Sequence, residues 1–582
     1  MANTKTMQTC ADVREMNNIN NKVNQTHTQT GEPVEVDGVD NNINIVDKYC
    51  ADCTEQERVG EPAPAPALSD IQQFYHGKNV LITGATGFLG KILVEKLLRC
   101  CPGVDNLYLL VRRKRGQDIY SRLEDIFEDP LDVANKLEVK LIHFNAISSG
   151  AVALLSTGTA TLLPPATDTR DNTEVFDRLK AVLPKFRHKV VGVPADCAAP
   201  GLGLSLADRQ LLTEKVNVMF HCAATVKFDE QLRAALATNV RAPLHLLRLA
   251  RDMRALDVLM HVSTAYSNSH LAHVEERFYP CAADTDRLQL ALDNMTDAKI
   301  DQMLPTILGE WPNTYTFTKA LAEKELRLHA GDVPLGVFRP AIVTSTAKEP
   351  LKCWLDNMYG PTGVAVGSAT GMLRSLQCDA RVTADLVPVD CVVNCLLAAA
   401  RNVHLAYAAG SPPPEPPIFN YVSSVENRIT WGDFKRHNFA RIDSQPFSNA
   451  VWYISLQLTR SARLHRVYTL VLHLAPAALV DALALCLGRK PRMLKVYTKI
   501  HKFSEVISYF CTREITFCNR RTRHLWDATS QLDRQLFPFS MAEVDWEEYC
   551  DDYLLGIRRY LFKQTDDSLP RARIKWKRYG NR

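Results

Sequence analysis

Asn79-Val-Leu-Ile-Thr-Gly-Ala-Thr-Gly-Phe-Leu-Gly90 is an apolar run that breaks into three spaced glycines and then passes into a helical pattern. The run from Lys78 to Thr83 predicts a buried strand, and Phe88 to about Cys100 predicts a helix. Gly84 permits a tight turn, Gly87 lets the backbone approach a pyrophosphate, and Gly90 lets helix and strand pack closely. The amino end of the helix favours negative charge. The stretch Thr83, Gly84, Thr86, Gly87, Phe88, Leu89 and Gly90 is therefore the candidate cradle for a dinucleotide.

Outward from this motif, Asn106–Val111 reads as a second buried strand. Further strand signals fall at Lys189–Val193, Val216–Phe220, Val258–Val262 and Leu335–Phe338. Helical patterns lie between most of them. Strands alternating with helices predict an α/β fold, a doubly wound parallel sheet of the Rossmann kind. Past about residue 430 the apolar spacing becomes helical and basic residues increase, which predicts a mostly helical second domain over 431–565 and a basic tail over 566–582. Residues 1–68 are polar and end in Pro-Ala repeats; such a stretch buries too little apolar surface to fold, and a disordered tail is expected.

The second strand runs into Arg112-Arg113-Lys114. NAD-selective sites place a carboxylate here to hold the ribose hydroxyls. A guanidinium instead suits a 2′-phosphate, so Arg112 points to NADPH. Downstream, Tyr315 and Lys319 stand four apart in Thr314-Tyr-Thr-Phe-Thr-Lys319, on one helical face. A free phenol is a poor proton donor at neutral pH, and a neighbouring ammonium lowers its pKa. Between the two motifs, His261-Val-Ser-Thr-Ala-Tyr266 ends a strand. A hydroxyl there, Thr264 ahead of Ser263, can orient a carbonyl and hydrogen-bond the phenol.

Composition fits a large enzyme. The 582 residues are 46% hydrophobic and 23% charged, enough for a full core. A net charge of +4 gives no reason to expect a nucleic-acid partner. The 16 cysteines are scattered, as in a reduced intracellular protein. Cys50-x-x-Cys53 has no second pair nearby, so no metal site is expected. The first residues lack the apolar core of a secretory signal, and the last do not form a Ser-Lys-Leu address.

Together these features resemble the extended short-chain dehydrogenase/reductases. The longer segments Phe220-His-Cys-Ala-Ala-Thr225, Trp311-Pro-Asn-Thr-Tyr-Thr-Phe-Thr-Lys319, Phe338-Arg-Pro340, Trp354-x-Asp356-Asn357 and Ala384-Asp-Leu-Val-Pro-Val-Asp390 narrow the resemblance to the fatty acyl-CoA reductases. Asp545-Trp546-x-x-Tyr549 and Gly556-Ile-Arg-Arg-Tyr-Leu561 resemble that family's C-terminal, male-sterility domain. The resemblance covers about 74–565. It implies NADPH-dependent reduction of a long-chain fatty acyl-CoA to a fatty alcohol, through an aldehyde and with release of CoA, as in wax biosynthesis. It further implies that Asp196 approaches the adenine, that Ala223 and Ala224 line the ribose, and that Asn239 supports the lysine or its water. A hydroxysteroid or sugar-nucleotide reductase would share the glycine motif and the Tyr–Lys pair but lack the 545–561 signature. A non-catalytic scaffold would have lost the Tyr or the Lys. Two departures stand out. Lys352-Cys353 replaces the family's usual Pro-Gly, and about forty residues, 131–174, read as an insertion outside the core.

Val467–Leu487 is long and apolar enough to span a bilayer. Pro476 interrupts it, Asp481 would cost about 2.5–3.5 kcal/mol near the bilayer centre, and arginines and lysines flank both ends. A buried helix is the alternative; the favoured expectation is a segment lying on one leaflet. Lipid-soluble substrate and product support it, and the resemblance adds the cytosolic face of the endoplasmic reticulum or peroxisome. Oligomeric state is left open.

Overall fold

The computed structural model describes residues 67–113, 118–128, 174–410 and 412–580. The tail read at 1–68, up to residue 66, Cys50-x-x-Cys53 and the insertion up to residue 173 lie outside them. Seven strands form the central sheet: β1 (Asn79–Thr83), β2 (Asn106–Val111), β3 (Val190–Pro194), β4 (Val218–His221), β5 (Val258–Val262), β6 (Leu335–Pro340) and β7 (Ile418–Tyr421). Their order is β7-β6-β5-β4-β1-β2-β3, and every neighbouring pair is parallel.

The strands read as unbroken apolar runs because both faces are covered. Val80, Ile82, Val218, Phe220, Val258 and Met260 enter one core with α1 (Phe88–Cys100) and the long helix Val389–Ala408. Their neighbours Leu81, Met219, Leu259 and Leu335 enter a second core with α2 (Ala242–Arg251) and with Leu326 of α3 (Thr314–His329). Chain order reverses direction at β1, which lies between β2 and β4. This switch point opens a crevice at the carboxyl ends of the strands, where ligands bind in such sheets.

The segment after residue 430 is helical and woven into the sheet domain. Gln457–Thr459 pairs in parallel with Ser375–Gln377, and Thr516–Phe517 with His273–Val274. Its main helices are α4 (Trp431–Ala440), α5 (Ala475–Cys486), α6 (Met493–Thr512) and α7 (Trp546–Gly556). The Tyr549 hydroxyl on α7 reaches Thr344 and Ser345 at 2.7–3.0 Å, and Tyr553 meets Thr362 at 2.6 Å. The described residues form one compact unit. The expected basic tail is in part a docked helix, α8 (Leu569–Gly580). Ala572 and Trp576, one turn apart, are buried, and the indole donates to Asp443 at 2.7 Å. The basic residues masked that apolar pair in the sequence.

Cys353, in the position of the family's usual glycine, has φ +58°. That is the left-handed region glycine enters without cost. Gly556 packs against the same peptide; a Cβ there would lie 2.0 Å from the Cys353 carbonyl oxygen.

The apolar stretch lies in one helix of 25 residues, Ala462–Cys486, leading into α6. Pro476 follows a π-helical turn, Thr469–Leu474, inside this helix; such turns are where a helix accommodates a break in its i→i−4 ladder. Asp481 is no solvated charge. Its carboxylate accepts from the backbone N–H of Arg492, Met493 and Leu494 at 2.8–3.0 Å and so caps α6. Ala477, Asp481 and Ala484 face the protein, whereas Val467, Leu470, Val471, Leu479, Leu483 and Leu485 are exposed. A helix in water buries its leucines and exposes its small and polar residues; this one does the reverse.

Candidate active site

The glycine turn forms as the sequence requires. Gly84 takes φ +74°, and a Cβ on it would stand 2.8 Å from the Ala223 nitrogen. Glycine there keeps the ends of β1 and β4 close while leaving space above them. A Cβ on Gly90 would meet the Gly84 oxygen at 2.2 Å, so the turn and α1 touch backbone to backbone. Thr83 ties the two strand ends together: its hydroxyl accepts from Ala223 N at 3.1 Å and meets His221 Nδ1 at 2.7 Å.

Gly84, Thr86, Gly87, Phe88, Leu89, Gly90, Ala223 and Ala224 line one cavity of about 1200 Å³ with Arg112. Asp196 does not line it. It pairs with Arg112 at 3.2 Å, both side chains partly exposed, and so holds the guanidinium at the rim. Arg122, which no local pattern singled out, lines the cavity too and donates to the Arg112 carbonyl. Two guanidiniums thus stand together at the cavity beside the end of β2. A dinucleotide fits this cradle: a collision-free glycine turn, a helix start and two cations at the expected place.

Tyr315 and Lys319 stand in the same cavity on α3, beside Thr264 at the end of β5. Asn313 starts the helix by accepting from Thr316 N at 2.9 Å. Burial pushes the Tyr315 phenol up to about 12, against the lowering expected from the lysine; the neighbouring Thr264 hydroxyl only partly offsets it. Lys319 is turned away, donating to the Val262 carbonyl at 2.7 Å. Burial brings its pKa down to about 8, while Glu323 and Cys222 push it back up. The phenol is thus held protonated, as a proton donor must be, beside an amine that titrates near neutrality.

Ser263 lies in the cavity wall, but its hydroxyl donates to Glu323. Asn239 does not touch Lys319. It brackets Thr225, accepting from its N–H at 3.0 Å and donating to its carbonyl at 3.2 Å, and it donates to Thr318 at 3.0 Å. It fastens the loop after β4 to the helix of Tyr315. Glu323 and Arg339 form a buried pair at 2.5 Å, with 3% and 0% of their side chains exposed. Glu323 follows Lys319 by one turn, a spacing that could have flagged it; its partner sixteen residues on carried no local signal.

Beyond Tyr315 the cavity is apolar. Val364, Phe434, Phe439, Ile442, Ile454 and Leu456 line it, most of them from the helical C-terminal segment. No cluster of histidine, cysteine or carboxylate side chains fit for a metal occurs among the described residues.

Two sequence profiles, each described as male sterility protein, match residues 82–147 with 161–396, and 472–564. The fatty acyl-CoA reductase wat of Drosophila melanogaster is 36% identical over 510 residues, covering 88% of this chain and 89% of the relative. Human fatty acyl-CoA reductase 1 is 34% identical over 506 residues, covering 87% and 89%. The chain belongs to the fatty acyl-CoA reductase family. Among solved structures, the reductase domain of a nonribosomal peptide synthetase from Mycobacterium tuberculosis shares the fold, with a TM-score of 0.50 at 17% identity over 84% of this chain and 95% of that one. In this reductase family member the profile match skips 148–160, within the stretch read as an insertion.

Glu323→Gln is expected to leave the Arg339 guanidinium buried without a counter-charge. The loss should be about 3–5 kcal/mol, read from urea unfolding. A change within error would show that the backbone carbonyls around Arg339 suffice to hold it.

Proposed function

We propose that the protein reduces a long-chain fatty acyl-CoA to the fatty alcohol with NADPH, releasing CoA and passing through the aldehyde. The observation that carries this reading is one cavity that joins a nucleotide cradle, a Thr–Tyr–Lys centre and a deep apolar chamber. A small polar substrate would have no use for the chamber.

The glycine turn, Ala223 and Ala224 would hold the dinucleotide, with Arg112 and Arg122 on a 2′-phosphate. When bound, its nicotinamide supplies hydride. Thr264 and Tyr315 donate to the thioester carbonyl oxygen and stabilise the negative charge that develops on it. Tyr315 gives up its proton, and Lys319, once swung from the Val262 carbonyl, stabilises the phenolate left behind. Collapse of the hemithioacetal expels the thiol of CoA. The aldehyde is then reduced at the same hydroxyls, so each alcohol consumes two hydrides and two protons. Asn239, Ser263 and Glu323 position these groups.

The exposed leucines of 462–486 support attachment to a lipid surface. An apolar face of this size marks an interaction site, and Asp481 and Pro476 no longer oppose it. The basic flanks Arg489, Lys490 and Arg492 suit anionic headgroups. The helix lies on one leaflet, where both acyl chain and alcohol partition.

With purified protein and palmitoyl-CoA, two NADPH should be consumed per alcohol formed, and Tyr315→Phe should lower turnover by about 10²-fold or more while cofactor binding persists. Near-normal alcohol output from the variant would assign the proton donor elsewhere. Arg112→Ala should weaken NADPH far more than NADH; equal losses would reduce Arg112 to loop support. In flotation on anionic vesicles the full chain should rise, and a form with Leu470, Val471, Leu479 and Leu483 changed to Ser should stay at the bottom. Equal flotation of the two would refute the lipid-facing helix.

A further inference from the structure

The reactive centre accounts for the thioester and the chamber for the acyl chain. A CoA thioester also carries a pantetheine arm and a nucleotide with charged phosphates, which need a place of their own. α6 offers one. Lys499, Lys502, Phe503, Val506 and Phe510 all line the cavity, at spacings that put them on one face of the helix. The inner end of this row touches the reactive centre: the Phe510 ring lies 5.7 Å from Phe228, which lies 5.7 Å from Tyr315. The outer end is cationic.

The distances along the helix match the ligand. Lys502 precedes Phe510 by eight residues, a rise of about 12 Å, and Lys499 by eleven, about 16 Å. The pantetheine chain between sulfur and diphosphate has the reach of about four extended residues, roughly 14 Å. With the thioester sulfur at the Phe510 end of this row, on the Phe228 side of Tyr315, the diphosphate comes level with the two lysines.

The charges there are available. Lys499 is exposed and forms no ion pair among the described residues. Lys502 pairs with Asp229 at 2.9 Å, with 66% and 50% of the two side chains exposed. Lys227, on the same loop as Asp229, pairs with Glu230 at 3.4 Å. Exposed pairs of this kind are worth little, so a diphosphate can displace Asp229 from Lys502 at small cost. Arg112 and Arg122, on other elements, are committed to the dinucleotide.

We propose that Lys499 and Lys502 of α6 form the phosphate-binding mouth for the CoA moiety, with the pantetheine arm lying along Phe503, Val506 and Phe510. This rests on the acyl-CoA reading above. The lysines also lie on the helix that follows the lipid-facing segment, so an anionic lipid headgroup is the competing source of phosphate.

The test compares palmitoyl-CoA with palmitoyl-pantetheine, which has the same thioester and arm but no phosphate. For K499Q/K502Q the ratio of kcat/KM between the two thioesters should fall by roughly tenfold or more, with the loss in KM; K499R/K502R should restore it. Calorimetric titration of free CoA into both double variants reports the same contact without turnover. An unchanged ratio with unchanged CoA affinity overturns the proposal. So does a loss of flotation on phosphatidylserine vesicles with CoA affinity intact, which would give the lysines to a headgroup. Failure of the wild-type chain to form alcohol from either thioester, with CoA still bound, would reject the proposed reaction and not the mouth.

Discussion

One buried carboxylate fixes the surroundings of Thr264, Tyr315 and Lys319. Glu323 on α3 accepts from Arg339 Nε at 3.0 Å and Nη2 at 2.5 Å, and from the Ser263 hydroxyl. Arg339 on β6 also donates to the Glu275 and Arg277 carbonyls at 3.0–3.1 Å. A guanidinium with no exposed surface is tolerable only when its donors are met in this way. The end of β5, the start of the Tyr315 helix and β6 thus share one anchor. Thr264 follows Ser263, and Lys319 sits one turn before Glu323, so the spacing of the reacting hydroxyls depends on that anchor. The same negative charge supports the ammonium of Lys319 against burial.

The helical C-terminal segment completes what the sheet domain leaves open. A nucleotide cradle at a switch point needs only the sheet and its first turn. An acyl chain needs an apolar wall, which α4 and α7 help to supply. Their attachment is polar and specific: Tyr549 and Tyr553 place hydroxyls against Thr344, Ser345 and Thr362, and Lys352 pairs with Glu548 and Asp552 at 2.6 Å. Asp390, prominent in the sequence, serves the same end. It accepts from the N–H groups of Ala347, Lys348 and Glu349 at 2.8–3.0 Å and shapes the loop that leads to Lys352 and Trp354.

What could be read from the sequence is what short-range physics dictates. Six of the seven sheet strands lie within two residues of their apolar runs, because strands buried on both faces leave a continuous signature. β7, four residues long, carried too little pattern. The glycine turn, Tyr315, Lys319 and Thr264 came from local spacing, and the structure brings them together. Arg122 and Arg339 did not, since their roles rest on partners distant in sequence or on a loop path. Asp481 shows the limit in the other direction. As a lone carboxylate in an apolar run it argued against contact with lipid; as a cap on α6 it turns inward and leaves the leucines outside. Trp576 was hidden by its basic neighbours in the same way.

α6 then joins the two environments that a lipid-modifying enzyme must connect. It begins where Asp481 fastens it to the apolar segment, and it ends with Phe510 against Phe228 and Tyr266, beside Tyr315. Twenty residues of helix span about 30 Å, so one element runs from the exposed leucine face to the neighbourhood of Tyr315. Its first half is rich in lysine and its cavity face is aromatic and aliphatic farther along. The order of residues along one helix thus sets a cationic mouth at its exposed end and an apolar wall beside Tyr315.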